Sequence, residues 1–512
     1  MPSAGSGCYG APVRARPLVW LSLLGLLAPP GAQAAELTLT SKSVYHAYQL
    51  RLNPLSANAA QRNLNRIYTT LDVGGWAIGD GGDIDAVLSL RYDTDFGTGF
   101  HRDTPLAAGI PAVDGRDDLD LMYLYVDWRN VVRGKLDLRA GRQLILDDLT
   151  WYSLDGVKLS GHLWRSGEDG LEVEVYAGLP VRIDLLFSSD PFLLDGTELD
   201  DGSGVFGGVA FGGNVALSVL SGLSASLAYR QELEFRQDTL VNLNRNVDSA
   251  ASASAGLTGL VESRVGGSLG YTIRPVAVDL YAHGTYDLLL ENLEQARAGA
   301  TWHPSRDLHV QGEYLRSRPR FAGDSIFNWF NIFPYDRGRV EVSLQIFEDL
   351  SIDAGYLAQY FGGGEKGPLN STTAGNQGAV FDGSSWSHGP SAGVVYRRPN
   401  FGFGGNFEAA TNTSGAYAFG GNYRVFSLFG DLSFLEGRFG ADGRLYVTTT
   451  QNDWFEGADD GQVDQPRTSF IAQLGGRGQF TDFLSGRVLF AKNFDSVLEG
   501  SYRIYSELTV RY

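Results

Sequence analysis

Apolar and polar residues trade places at every second position along most of this chain. In Ile84–Asp95 the apolar series is Ile84, Ala86, Leu88, Leu90 and Tyr92, and Asp85, Ser89, Arg91, Asp93 and Asp95 stand on the other side. The same split recurs where Leu171, Val173, Val175, Ala177 and Leu179 oppose Glu172, Glu174 and Tyr176, and where Val340, Val342, Leu344 and Ile346 oppose Arg339, Glu341, Ser343 and Gln345. A period of two means a β-strand with one oily face and one wet face. From residue 36 onward the texture does not change, no dozen residues carry helical periodicity, and no later apolar run reaches the ~20 residues of a spanning helix. The chain is all-β, either a soluble array or a membrane barrel.

The connections decide between the two. One class is uniformly tight: Val131 to Gly134, Ser166 to Gly170, Leu220 to Leu223, Arg274-Pro275, Arg397 to Asn400, Glu436 to Arg438 and Phe480 to Phe483. The alternate class is mostly long: Phe96 to Asp118, Val181 to Phe206, Arg236 to Thr258, Pro319 to Tyr335, Gly362 to Ser387 and Gln451 to Pro466. Short turns at one end and long loops at the other mark an antiparallel up-and-down barrel in a bacterial outer membrane, with the turns periplasmic and the loops extracellular. Sandwiches and propellers have no reason to segregate their loops in this way. Trp76, Trp128, Trp164 and Trp302 fall near strand ends, where an aromatic girdle meets the membrane interface.

Counting segments gives 22 strands, from Glu36–Leu50 and Leu64–Ala77 to Val497–Tyr512, with even numbers from 18 to 22 defensible. Glu36–Leu50 is poorly patterned, and Ala416–Leu435 reads as one overlong strand or two. The final segment carries Tyr502, Ile504, Leu508, Val510 and Tyr512 on one face. Closing the sheet on itself ties such a terminal strand to the first one, so that no edge is left unpaired in lipid. The terminal aromatic Tyr512 resembles the C-terminal signal of bacterial outer-membrane proteins, which implies the barrel-assembly machinery as a partner.

Residues 1–34 read as a cleaved secretory signal: Arg14 and Arg16, the apolar run Leu18 to Ala28, then Ala32-Gln33-Ala34 as a small-residue cleavage site. Residues 35–512 are then the barrel. Removing the signal takes away the single cysteine, Cys8, and leaves 39 basic residues against 59 acidic ones, a net of −20. That balance argues against nucleic acid, which selects basic patches.

The wet face carries both signs: Arg91, Arg139, Glu172, Glu174, Arg230, Glu232, Arg339, Glu341, Arg444 and Arg487 are the candidate pore-lining residues. Asp85, Asp137, Glu234, Asp279, Asp353 and Asp442 share that phase, so acidic residues outnumber basic ones on the wet face; rings of charge tune which solutes pass, and this balance leans toward cations or neutral solutes. Strand pattern begins by Leu64, so no globular plug is expected, and the interior is filled by water, by infolded loops or by a partner. The histidines lack a G-x-S-x-G elbow or an H-E-x-x-H companion, so no enzyme is indicated. The acidic stretches Asp114 to Asp120 and Asp195 to Gly202 miss the spacing of a calcium loop, and no metal or cofactor is implied. On the long-loop side, Ser325 to Arg337 places Trp329, Phe330 and Tyr335 where flat rings meet a sugar or a partner.

One stretch, Leu136 to Gly161, has a strand ending Ala140-Gly141-Arg142-Gln143, an aspartate-rich loop, and Asp155-Gly156-Val157 opening the next strand. It resembles the alginate-export type of outer-membrane porin, over 26 residues. The resemblance implies a large single-chain barrel passing hydrophilic solutes or exporting anionic polysaccharide. Two features depart from it: Arg142 falls in the oily phase unless Gly141 is a bulge, and the net acidity suits an anionic cargo poorly. The rival reading is a non-conducting barrel that anchors a surface or envelope-spanning assembly through its loops, with periplasmic or lipoprotein partners left open.

Overall fold

The computed structural model describes residues 36–52, 60–78, 82–95, 117–167, 169–181, 208–219, 222–234, 260–289, 291–318, 334–362, 385–412, 422–451, 467–494 and 502–512. The expected signal segment, Trp329 and Phe330 lie outside them.

Twenty-two antiparallel strands form one sheet, from β1 (Glu36–Leu52) and β2 (Ala60–Ile78) to β22 (Tyr502–Arg511). The sheet closes where β1 pairs with β22, from Thr40 opposite Arg511 to Tyr48 opposite Arg503. Leu39 and Tyr512 extend the seam with reciprocal backbone hydrogen bonds of 2.8 Å. Closure removes the unpaired edge that hydrocarbon cannot solvate. The segment around Ala416–Leu435 contributes one strand, Asn422–Phe434.

Alternation becomes two surfaces of a cylinder. Leu124, Val126 and Trp128 on β4 (Asp117–Val132), Val340 and Leu344 on β14 (Tyr335–Phe347), and Phe426, Leu428 and Leu432 are exposed on one side. On the other side of β3 (Ile84–Asp95) Asp85, Ser89 and Asp93 are covered. A barrel with an oily exterior and a charged interior is a transmembrane barrel of the outer-membrane type. Trp76, Trp128, Trp164 and Trp302 are all exposed at the ends of strands that lead into the short turns, so they ring one rim.

Two local irregularities set the phase. Between β3 and β4 the register slips so that Tyr123 faces Ser89 and Leu121 faces Leu90, leaving Met122 as the extra residue. That bulge keeps Asp120 on the inner face, opposite Arg91. On β1 the outer face carries small polar groups: Ser43 bonds Thr69 at 3.1 Å and the Tyr45 hydroxyl donates to Asn65 at 3.1 Å, while Val44 on the inner face is fully covered. A strand whose faces are this mixed yields the weak pattern seen in the sequence.

Candidate functional site: a hairpin folded into the barrel

The stretch read as strand, aspartate-rich loop and strand is one hairpin, β5 (Leu136–Asp147) and β6 (Thr150–Ser166), joined by Asp148-Leu149 alone. Its register is continuous, from Leu136 opposite Gly161 to Asp147 opposite Thr150. Gly141 is therefore not a bulge within this pair. Pairing of β5 with β4 stops at Arg142, and pairing of β6 with β7 (Asp169–Pro180) stops at Leu154. Beyond that row the hairpin leaves the wall.

Glycines mark the fold line. Gly141 faces Gly156, and Gly156 faces Gly178, in one cross-strand row. A Cβ on Gly156 would sit 2.2 Å from the Ala177 carbonyl oxygen, and one on Gly178 would sit 2.4 Å from that of Asp155. Gly141 has φ +122°, and a Cβ there would meet the Leu124 carbonyl at 2.1 Å. Only glycine allows backbones so close together and the turn at Gly141.

Contacts at the tip give the direction of the fold. Tyr176 shares a row with Lys158 and Arg139, and Asp147 stands eight residues beyond Arg139 on β5. A straight hairpin would carry Asp147 about 26 Å from that row at ~3.3 Å per residue. Instead the Tyr176 hydroxyl donates to the Asp147 carboxylate at 3.2 Å. The hairpin lies over the inner surface of β7, β8 (Gly208–Val219), β9 (Leu223–Glu234), β10 (Leu260–Ile273) and β11 (Val278–Asp287).

A small core and a polar clamp hold it there. Ile145, Leu154, Tyr176 and Ala210 pack together with Tyr152 against them, and Leu149 at the tip is fully covered. Each large apolar side chain buried in this way contributes about 1.5–3 kcal/mol relative to exposure. Arg230, 2% exposed, bonds Glu262 at 2.7 Å, reaches the Leu149 carbonyl at 3.4 Å, and lies 4.4 Å from the centre of the Tyr152 ring. Arg264 also donates to the Leu149 carbonyl, at 3.4 Å, and pairs with Glu294. Ser226 donates to Asp148 at 2.5 Å, and the Tyr152 hydroxyl donates to Glu232 at 2.9 Å. A buried guanidinium is tolerable only with partners of this kind.

The face of the hairpin bearing Gln143, Ile145, Tyr152 and Leu154 is the one that meets the wall. Its opposite face, turned away from that wall, carries Arg142, Leu144 and Leu146 on β5 and Trp151, Ser153 and Asp155 on β6; Leu146 and Trp151 are exposed there and Ser153 is covered. Arg142 sits at the fold line and grips Asp155 through two hydrogen bonds, 2.7 and 2.6 Å, with a third to the Leu121 carbonyl at 2.9 Å. The oily phase thus stops facing lipid where Arg142 occurs.

Most of the other sequence candidates find partners on the inner face. Arg91 pairs with Asp120, Arg139 pairs with Asp127 and lies 4.7 Å from the Tyr125 ring centre, and Glu174 accepts from Lys158 at 2.7 Å and Ser160 at 2.9 Å. Glu172 lies 4.0 Å from His162, and Arg339 bonds Glu341 at 2.6 Å. Arg444 reaches the Tyr446 hydroxyl at 3.5 Å, and Arg487 stands between Arg477 and Glu507 in register. Arg230 and Glu232 lie beneath the hairpin, 2% and 7% exposed, rather than at an open surface. Tyr335 is not a loop residue: it opens β14 and its ring centre is 6.0 Å from that of Phe361. The sequence reasoning missed Tyr152, Asp147 and Leu149 as clamp residues. A usable signal was the apolar character of both faces between Leu144 and Leu154, which an ordinary barrel strand lacks.

The chain matches no protein-family model and no curated protein. Among solved structures it is similar to the FrpB iron transporter from Neisseria meningitidis, at 11% identity over 94% of this chain and 82% of that one, with a TM-score of 0.50. It is also similar to OccAB1 of Acinetobacter baumannii, at 9% identity over 95% and 98% with a TM-score of 0.40, and to Pseudomonas aeruginosa OpdK with vanillate, at 10% over 93% and 98% with a TM-score of 0.39. At such identities the likeness is one of fold. The oily exterior, the charged interior and that likeness place the chain among the closed β-barrels of the bacterial outer membrane.

Proposed function

We propose that the protein is a passive outer-membrane channel for small hydrophilic solutes, constricted from one side by the β5–β6 hairpin. The observation that carries this reading is the docked hairpin: it covers the inner surface of β7 to β11 in a closed barrel of 22 strands, so it narrows the interior from one side. Large barrels leave a water-filled interior. The reading is of a barrel without a plug domain. Arg91, Arg139, Glu172, Glu174, Arg339, Glu341, Arg444 and Arg487 line the passage, with acidic groups in excess across the whole chain. Export of an anionic polysaccharide is not part of this reading, because the segment that resembles the export porins serves as the docked hairpin and the charge balance opposes such a cargo.

Recording from purified protein in a planar bilayer tests the proposal. Stable conductance steps are expected, larger when Gln143 to Ser153 is replaced by a short glycine–serine turn. A silent barrel, with or without the hairpin, would sink the reading and favour an anchoring role.

A further inference from the structure

We propose that Trp151 and Leu146 form a platform inside the lumen that stacks on small solutes with a flat ring face. This rests on the channel reading and adds a binding site to it.

Trp151 and Leu146 face each other across the hairpin and are 54% and 70% exposed. Strand alternation would assign both to lipid. Lipid cannot reach them, since the hairpin has left the wall and the other face of the same hairpin is packed on β7 to β11. They face the water of the lumen instead, beside a lining that is otherwise charged. A tryptophan and a leucine side by side in water gain most from a partner that covers both, and indole favours flat, apolar-faced rings. A lipid tail, a second copy of the chain or a folded protein has no route to this surface, so the occupant is a solute small enough to enter the channel. One row along the same face Ser153 is 4% exposed, and among the described residues its hydroxyl has no hydrogen-bond partner. A second row farther, the Arg142–Asp155 pair adds charge of both signs.

Aromatic and sugar rings share this chemistry, and one experiment separates them. Saturation-transfer NMR on the detergent-solubilised full chain would use nicotinamide, methyl β-glucoside and, as an open-chain control, sorbitol. Transfer to the ring protons of nicotinamide, of the glucoside or of both is expected, with none to sorbitol. The responding probe names the ring class. Trp151→Ala is expected to weaken the response about tenfold and Trp151→Phe to retain most of it. Equal responses from ring and open-chain probes, or an undiminished response in Trp151→Ala, would overturn the platform. Failure of the channel reading appears separately, as absence of conductance in a bilayer, because this binding measurement needs no ion flow.

Discussion

The Tyr176 hydroxyl meets the Asp147 carboxylate at 3.2 Å, although the rows of the sheet would set them about eight residues apart. That contact exists only because the hairpin is folded flat on the inner wall. It is joined by the grip of Arg230 and Arg264 on the Leu149 carbonyl.

Removing the arginine should release the tip. Arg230→Ala leaves Glu262 and Asp147 with a lost partner in a covered site, a change that costs on the order of 3–5 kcal/mol if the surroundings stay closed. Undocking relieves that cost, so the expected outcome is a freed hairpin in an intact barrel. With Cys8 replaced by serine, a Leu149→Cys probe should resist maleimide in the parent and label rapidly in the Arg230→Ala background. Equal labelling in both would contradict the clamp.

The glycine row should tolerate no side chain. Gly178→Ala would set a methyl 2.4 Å from the Asp155 carbonyl and 2.6 Å from the Gly156 Cα, both backbone atoms that cannot rotate away. Overpacking of this kind costs about 1–3 kcal/mol. Gly312→Ala is the control, since nothing lies within 4 Å of the new methyl. Urea unfolding in detergent should show a lower midpoint for the first variant and little change for the second.

Lipid-facing and lumen-facing positions of one strand should respond differently to charge. Val340, 53% exposed on the exterior of β14, is expected to lose about 2–4 kcal/mol on replacement by lysine if it sits near the bilayer midplane. Ser343, three positions along and on the inner face, should accept lysine within about 1 kcal/mol. Refolding titrations into lipid vesicles compare the two directly, and similar losses would mean that the faces are assigned wrongly.

The passage should favour cations modestly. On the inner phase Asp85, Asp137, Glu172, Glu174, Asp279, Glu341, Asp353 and Asp442 outnumber Arg91, Arg139, Arg339, Arg444 and Arg487, and rings of acidic residues favour cation entry. The reversal potential in a potassium chloride gradient should carry the sign of a cation-preferring pore, and the preference should shrink as salt rises and screens the lining. An anion-preferring potential would show that exposed arginines such as Arg444 and Arg487 outweigh the acidic groups.

Much of this architecture was legible in the residues alone. Leu88 beside Ser89, or Val340 beside Arg339, reports a strand with two unlike faces whatever the rest of the chain does. Tight turns such as Arg397 to Asn400, alternating with long connections, report a barrel with two unlike rims. The strand count held at 22, and even the weak pattern of β1 has a local cause in Ser43 and Val44.

What the sequence by itself determined was the two-faced strand and the closed barrel with two unlike rims, because side-chain periodicity and connection length are properties of the chain read in order. Only the tertiary structure decided that Gln143 to Ser153 abandons the wall, that Arg230 and Glu232 lie beneath it, and that Trp151 looks into water instead of lipid. The physical reason is that alternation separates two faces without saying what each one meets. At the row of Gly141, Gly156 and Gly178 the backbone folds over, and from there the environments of the two faces are set by contacts between strands as much as 115 residues apart.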